Sequence, residues 1–173
     1  MLALAAALPV ATPAAEFVPL SAVRLEAGPL LDAQERDRRY LMALDADRLL
    51  APFRREAGLP LPAPSDGNWE ATGLDGHMAV HALSALGLMV AATGDAGVKA
   101  RLDHLVAELK RCQDAPRDAL MTGYLGGIPE GEAAWRALAR GDMQADNFSL
   151  NGRWVPWYNL HKTFAGLRDA HLH

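Results

Sequence analysis

One stretch near the middle of the chain carries no charged side chain. From His77 to Ala92 the residues are apolar, small or uncharged. A helix that is apolar on every side is enclosed by other elements, and its alanines and glycines let neighbouring helices approach closely. Asp75 is the predicted N-cap and Thr93-Gly94 the predicted stop. The pattern therefore predicts a buried helix over 77–92.

The stretch that follows has the opposite character. Between Asp95, a predicted N-cap, and Cys112, apolar residues recur three or four positions apart, with charged residues between them. This spacing predicts a solvated helix with one apolar stripe. Only two or three residues join it to the enclosed helix, so the two are predicted to pack antiparallel. Such pairs are the repeating unit of layered all-helical folds, including α/α toroids.

The N-terminal part of the chain predicts two further helices. Apolar residues nearly alternate with other residues over Glu16–Gly28, which indicates a short strand or an extended lead-in. A helix is predicted over 29–44. Asp45 or Asp47 can cap the next helix, which Pro52 is expected to bend or shorten.

Beyond residue 112 the pattern indicates a long loop region before a final helix. Residues 123–130 are too rich in glycine for a helix, a short helix is predicted over 132–140, and 147–154 reads as a turn with brief extended arms. The predicted fold class is all-α, an incomplete α/α toroid with a short extended lead-in. A final helix that lacks a stop signal leads us to expect that the chain is cut inside or just after it.

Aromatic and polar residues crowd the start of that final helix. Pro156 suits the first helical position, and Trp157 and His161 then share one face, with Tyr158 on the neighbouring stripe. Flat aromatic faces beside an imidazole suit a sugar, which has both C–H faces and hydroxyls. The alternative is that these aromatics are core residues and that His161 is a buried, hydrogen-bonded histidine.

The length, charge and cysteine content of the chain exclude several classes of function. The chain has 173 residues, of which 50% are hydrophobic, and a net charge of -4, with a pI near 5.8. This length fits one domain with a sizeable core, and the absence of a basic field argues against nucleic acid as a partner. The single cysteine, Cys112, excludes an internal disulfide and a zinc site of several cysteines in this sequence.

The first fifteen residues resemble a secretory signal peptide. An apolar run from Met1 to Val10 is followed by small residues, although the usual basic start is missing. The run is too short to span a bilayer. We therefore expect a cleaved signal over 1–15, a periplasmic or secreted protein, and no membrane partner.

Ionisable residues offer only weak motifs. His77 and His81 have the spacing of helical zinc ligands, but Met78 stands where the zinc-protease signature has glutamate. The alternative is two histidines bonded inside a buried helix, or one at a pocket mouth. Three carboxylates that could act as acids or bases are too scattered to be paired from sequence: Glu70, Asp75 and Glu130.

Several motifs in order resemble one enzyme family. From about Phe17 to His173 the chain is similar to the N-terminal part of glycoside hydrolase family 127 and its relatives, which are β-L-arabinofuranosidases. The residues that carry the resemblance are Leu44–Arg54, Trp69-Glu70, Gly73–His77, Leu83–Leu86, Ala91–Asp95, Gly123–Gly127 and Pro156–Lys162.

The resemblance implies an α/α-toroid catalytic domain, with 16–173 as its N-terminal part. It further implies retaining hydrolysis of β-L-arabinofuranosides in plant glycans by a cysteine nucleophile held on zinc, with a glutamate as acid/base. The sequence has no Glu-x-Cys or Cys-Cys motif, and Cys112 does not lie in one. We therefore expect this chain to lack the catalytic residues, to bind no zinc, and to be inactive alone, while a full-length member would bind zinc.

The resemblance leaves a substrate-binding role for this part of the chain. The candidate substrate-binding residues are His161, Trp157, Tyr158 and His77, and the expected partner is an arabinose-containing oligosaccharide or glycan. Two alternatives remain open: a non-catalytic helical carbohydrate-binding module, or another sugar-active enzyme, a lyase or hydrolase, on the same scaffold.

Overall fold

The computed structural model describes residues 16–173, so the predicted signal peptide lies outside the described residues. The described helices are α1 (Pro29–Ala43), α2 (Ala46–Glu56), α3 (His77–Thr93), α4 (Ala96–Gln113), α5 (Gly131–Ala139) and α6 (Pro156–Leu172). A small antiparallel meander precedes α6, made of β1 (Ala145–Asp146), β2 (Ser149–Leu150) and β3 (Arg153–Trp154). The all-α class is confirmed, and closure of a toroid stays a prediction.

Helix α3 lies at the centre of the structure, with α1, α2, α4 and α6 packed around it. It has eight buried residues, more than any other described helix, and Val80, Leu83 and Leu86 are at most 1% exposed. Gly94 ends the helix in the left-handed conformation, as its sequence predicts. The prediction of an enclosed helix here is confirmed.

Helix α4 packs against α3 through a single stripe. Five residues of α4 are buried, four leucines and valines together with a cysteine: Val98, Leu102, Leu105, Leu109 and Cys112. Asp95 accepts hydrogen bonds from the backbone N–H groups of Gly97 and Val98, so it caps the helix as predicted. The enclosed and solvated helices therefore form the expected pair.

Helix α6 approaches α3 through glycines. Gly166 lies so close to the Val80 carbonyl that a methyl group there would overlap the oxygen. A Cβ on Gly87 would stand 2.9 Å from the Asp169 carbonyl oxygen. These two contacts set the spacing and the register of the α3–α6 seam, because neither helix can carry a larger residue at its crossing point.

The prediction that Pro52 shortens the second helix is wrong. Helix α2 runs without interruption from Ala46 to Glu56, and Pro52 is buried inside it. Proline in a helix interior costs about 3 kcal/mol because it removes a backbone hydrogen bond. Burial of Leu49, Leu50 and Phe53, each at most 5% exposed, offsets this cost by holding α2 against the core.

The N-terminal lead-in is extended apart from one 3-10 turn at Leu20–Ala22, which packs on α3. No strand forms in this segment of the described chain. Among the helices of residues 16–173, none combines the length and the apolarity needed to cross a bilayer.

Candidate functional site

The starts of α3 and α6 lie side by side, and a buried asparagine holds them together. Asn159, 2% exposed, donates hydrogen bonds to the carbonyl oxygens of Leu74 at 3.2 Å and Asp75 at 2.8 Å. Thr163, one turn further along, donates to the Asn159 carbonyl oxygen at 3.1 Å. Asn159, at the start of α6, therefore acts as a clamp that ties this helix to the loop before α3.

The N-terminus of α3 is capped by a distant glutamate. Glu70, in a 3-10 turn at Asn68–Ala71, is 4% exposed. Its Oε2 accepts from the Gly76 N–H at 2.6 Å, and its Oε1 accepts from the Met78 N–H at 3.0 Å. One carboxylate thus satisfies two of the N–H groups that a helix start leaves unpaired.

The prediction that Asp75 caps this helix is wrong. The N-cap residue is Gly76, with φ at 91°, and a Cβ there would stand 2.9 Å from the Phe53 ring. Asp75 is one position too early. Its carboxylate accepts from the Gly73 N–H at 3.0 Å and from Arg55 Nη1 at 3.1 Å, which braces the loop before the helix.

Five side chains, from the 3-10 turn at Asn68–Ala71 and the starts of α3 and α6, form one surface, which we call the histidine patch: Trp69, His77, His81, Tyr158 and Lys162. The His77 ring centroid lies 6.0 Å from that of Trp69 and 5.9 Å from that of His81. Lys162 Nζ lies 5.2 Å from the Tyr158 ring centroid. His77 forms the buried base of the patch, whereas Trp69 is 60% and Tyr158 41% exposed.

The charge state of the patch is set partly by its neighbours. Desolvation, followed by the Lys162 ammonium and the His77 ring, lowers the pKa of His81. At neutral pH His81 is therefore an uncharged imidazole, with one N–H donor and one acceptor nitrogen. Lys162 supplies the positive charge, and the combination offers hydrogen bonds of both kinds next to aromatic faces.

Two of the four sequence-predicted binding residues lie outside this patch. Trp157, 57% exposed, packs edge-on against Trp135 of α5, with ring centroids 4.8 Å apart. His161 is exposed and lies two residues from both Asn159 and Thr163, about 200° around the helix from the buried seam. The structure thus brings His77 and Tyr158 into one patch and places Trp157 and His161 on other sides of α6.

A cleft of about 360 Å³ lies beside α6 on the Trp135 side. Its walls are mainly apolar, including Leu125, Leu160 and Phe164. A sugar placed there would leave most of its hydroxyls without partners, which is costly. The histidine patch suits a sugar better.

Within residues 16–173, no three histidine, cysteine or acidic side chains are grouped so that they could hold a metal ion. Cys112 is buried on α4, and desolvation raises the pKa of its thiol. A thiol in such surroundings is a weak nucleophile and a poor ligand. The described residues therefore do not fit a zinc–thiolate centre.

Sequence reasoning missed the roles of Glu70, Asn159 and Lys162. One signal was available for Glu70: the helix it caps begins at a glycine, which has no side chain of its own to act as a cap. For Asn159 no local signal exists, since its bonds reach residues 84 and 85 positions away.

The chain matches one family of known proteins. A family model described as "Beta-L-arabinofuranosidase, GH127 catalytic domain" matches residues 22–173. No curated protein matches the chain. The match includes every element from α1 to α6, and with them both helix starts that build the histidine patch.

Proposed function

Because the chain belongs to the GH127 β-L-arabinofuranosidase catalytic-domain family, a family of glycoside hydrolases, we propose that residues 16–173 are the substrate-binding N-terminal part of a retaining hydrolase. Its proposed substrates are β-L-arabinofuranosides of plant glycans. Such glycans are met outside the cell, so the proposal includes a periplasmic or secreted location.

The observation that carries the proposal is the histidine patch. Trp69 and Tyr158 present partly exposed aromatic faces, and these suit the C–H faces of a sugar ring. His81 and Lys162 offer a neutral imidazole and an ammonium beside them.

The proposed role of these residues is to bind and orient a sugar. The Asn159 clamp and the Glu70 cap keep both helix starts fixed, so the patch is preorganised before ligand arrives. His161 and Trp157 belong to the same proposal as a second contact surface on the solvent side of α6. No reaction step is assigned to zinc, because residues 16–173 offer no donor set that fits it.

A non-catalytic carbohydrate-binding module is the second candidate. The observation that favours it is the state of Cys112, a buried thiol whose raised pKa leaves the described chain without an activated cysteine. Both candidates predict sugar binding. They differ in turnover, which an aryl β-L-arabinofuranoside with a coloured leaving group measures directly.

Calorimetric titration with methyl β-L-arabinofuranoside tests the proposal. We expect the purified chain to bind it, and Tyr158→Ala or His161→Ala to weaken binding roughly tenfold to a hundredfold, since a lost hydrogen bond to a hydroxyl costs about 1–3 kcal/mol. His104→Ala on the exposed side of α4 is the matched control. Wild-type affinity in both Tyr158→Ala and His161→Ala, or no binding by the wild type, would contradict the proposal.

A further inference from the structure

The buried contact between Glu70 and His77 determines which nitrogen of the imidazole carries hydrogen. His77 Nδ1 lies 2.6 Å from Glu70 Oε1 and 3.0 Å from the Leu74 carbonyl oxygen. Both partners are acceptors, so the hydrogen must sit on Nδ1. When the ring is neutral, Nε2 is therefore a bare acceptor.

Glu70 is itself held in place. The same carboxylate accepts from the backbone N–H groups of Gly76 and Met78, and it is 4% exposed. It cannot rotate away from His77 without uncapping the first turn of α3. The His77 imidazole is thus held by the Glu70 carboxylate, and that carboxylate is in turn held by the N–H groups at the start of α3.

The opposite nitrogen of His77 is not fully buried. Within residues 16–173, Nε2 has no protein hydrogen-bond partner, yet it is not among the fully buried atoms that lack one. Nε2 therefore keeps some contact with solvent, although the His77 side chain as a whole is 5% exposed. The ring centroids of Trp69 and His81 lie at about equal distances from that of His77, 6.0 Å and 5.9 Å.

We propose that Glu70 is a positioning residue of the sugar site, which holds His77 as the Nδ1–H tautomer so that Nε2 accepts a hydrogen bond from a ligand hydroxyl. The inference rests on the proposed function for the identity of the ligand. Glu70 itself does not touch the sugar. It acts by presenting an acceptor at a point where the other tautomer would present a donor.

This arrangement has a consequence for specificity. An acceptor nitrogen selects a group that can donate, such as a free hydroxyl. A sugar whose hydroxyl at that position is methylated or replaced by hydrogen leaves Nε2 without a donor, and a buried polar group left unpaired costs binding free energy.

The tautomer can be read without any ligand. In the ¹⁵N-labelled chain, two-bond ¹H–¹⁵N correlation spectra distinguish Nδ1–H from Nε2–H rings, and His77→Asn identifies the His77 signals. We expect Nδ1–H in the wild type and a measurable fraction of Nε2–H in Glu70→Gln. Glu108→Gln, which removes a carboxylate of α4 bonded to Arg54 at 2.6 Å and not to His77, should leave the His77 tautomer unchanged.

Either of two results would overturn the role of Glu70: an Nε2–H ring in the wild type, or an unchanged tautomer in a folded Glu70→Gln protein. The second would mean that the carboxylate is not needed, because the Leu74 carbonyl or the amide oxygen that glutamine keeps suffices as the acceptor. If Glu70→Gln does not fold, the wild-type spectrum alone still decides the tautomer.

A second variant tests the exposed nitrogen. His77→Asn places an amide N–H where Nδ1 stands, so the bonds to Glu70 and Leu74 are kept while Nε2 is removed. We expect a similar melting temperature and at least tenfold weaker binding of methyl β-L-arabinofuranoside. Unchanged affinity would show that Nε2 does not meet the sugar. If the wild type does not bind this sugar, the proposed function fails, whereas the spectra still decide what Glu70 does.

Discussion

At the scale of single residues, the pKa of His81 tests whether Lys162 lies beside it in the histidine patch. Desolvation and the nearby Lys162 ammonium lower its pKa. Lys162→Met removes the charge and keeps much of the side-chain volume, so we expect the pKa of His81 to rise towards its ordinary value. An NMR titration of the His81 ring measures this. A pKa that stays the same or falls would mean that Lys162 does not face His81 in solution.

The same histidine makes stability depend on pH. Its pKa is lower in the folded chain than in the unfolded one, so the unfolded state binds more protons as pH falls below about 6.5, and folding loses free energy in that range. We expect the melting temperature to fall as pH falls from 7 through 6, and to fall less in His81→Gln. His104→Gln serves as the control, since His104 is exposed on α4. Equal slopes in wild type and His81→Gln would contradict this.

Residues with local roles could be predicted from the sequence, and residues with distant roles could not. Pro156 at a helix start, Gly94 at a helix end and Asp95 as an N-cap each act within a few positions, where the conformational preference of one residue decides. Asn159 and Glu70 act across the fold. Their partners become neighbours only after α3 and α6 have packed, so no spacing rule identifies them.

At the scale of elements, the α3–α6 seam depends on Gly166. An alanine there would place its methyl against the Val80 carbonyl oxygen, which is backbone and cannot turn aside. We expect Gly166→Ala to destabilise the chain by about 1–3 kcal/mol through overpacking, measured by urea unfolding.

A helical glycine outside the seam provides the control. Gly97 lies in the first turn of α4, where a Cβ would meet only the flexible side chain of Asp95 at 3.1 Å. Gly97→Ala should be neutral or stabilising, because alanine favours helices over glycine. Equal destabilisation by both substitutions would mean that the seam is not the cause.

The helices themselves were largely predictable, and the error in α2 shows where prediction stops. That α3 is enclosed and α4 is solvated follows from which of them contains charged residues, and this can be seen directly in the sequence. Pro52 is different. The free-energy cost of a proline inside a helix can be read from the sequence. The burial of Phe53, which is 1% exposed and offsets this cost, appears only in the folded structure.

At the scale of the whole molecule, we predict that the 173-residue chain binds no zinc stoichiometrically and does not hydrolyse arabinofuranosides. The physical reason is that its single cysteine is a buried thiol with a raised pKa, unsuited to act as a nucleophile or ligand. Metal analysis of the purified chain and an assay with an aryl β-L-arabinofuranoside measure the two properties. One tightly held zinc per chain, or turnover, would refute the prediction.

The seam between α3 and α6 also affects how the protein is made. Val80 and Gly166 are far apart in the chain, so a ribosome that adds about 5–20 residues per second synthesises Gly166 roughly 4–17 s after Val80. During this interval α3, the most apolar helix of the described chain, can pack against α1, α2 and then α4, but not yet against α6. Until α6 is made, the face of α3 that it covers has no partner, and transiently exposed apolar surface is prone to aggregation. The contact that fixes the two helices in the finished protein therefore forms only after α3 has waited several seconds for its largest neighbour.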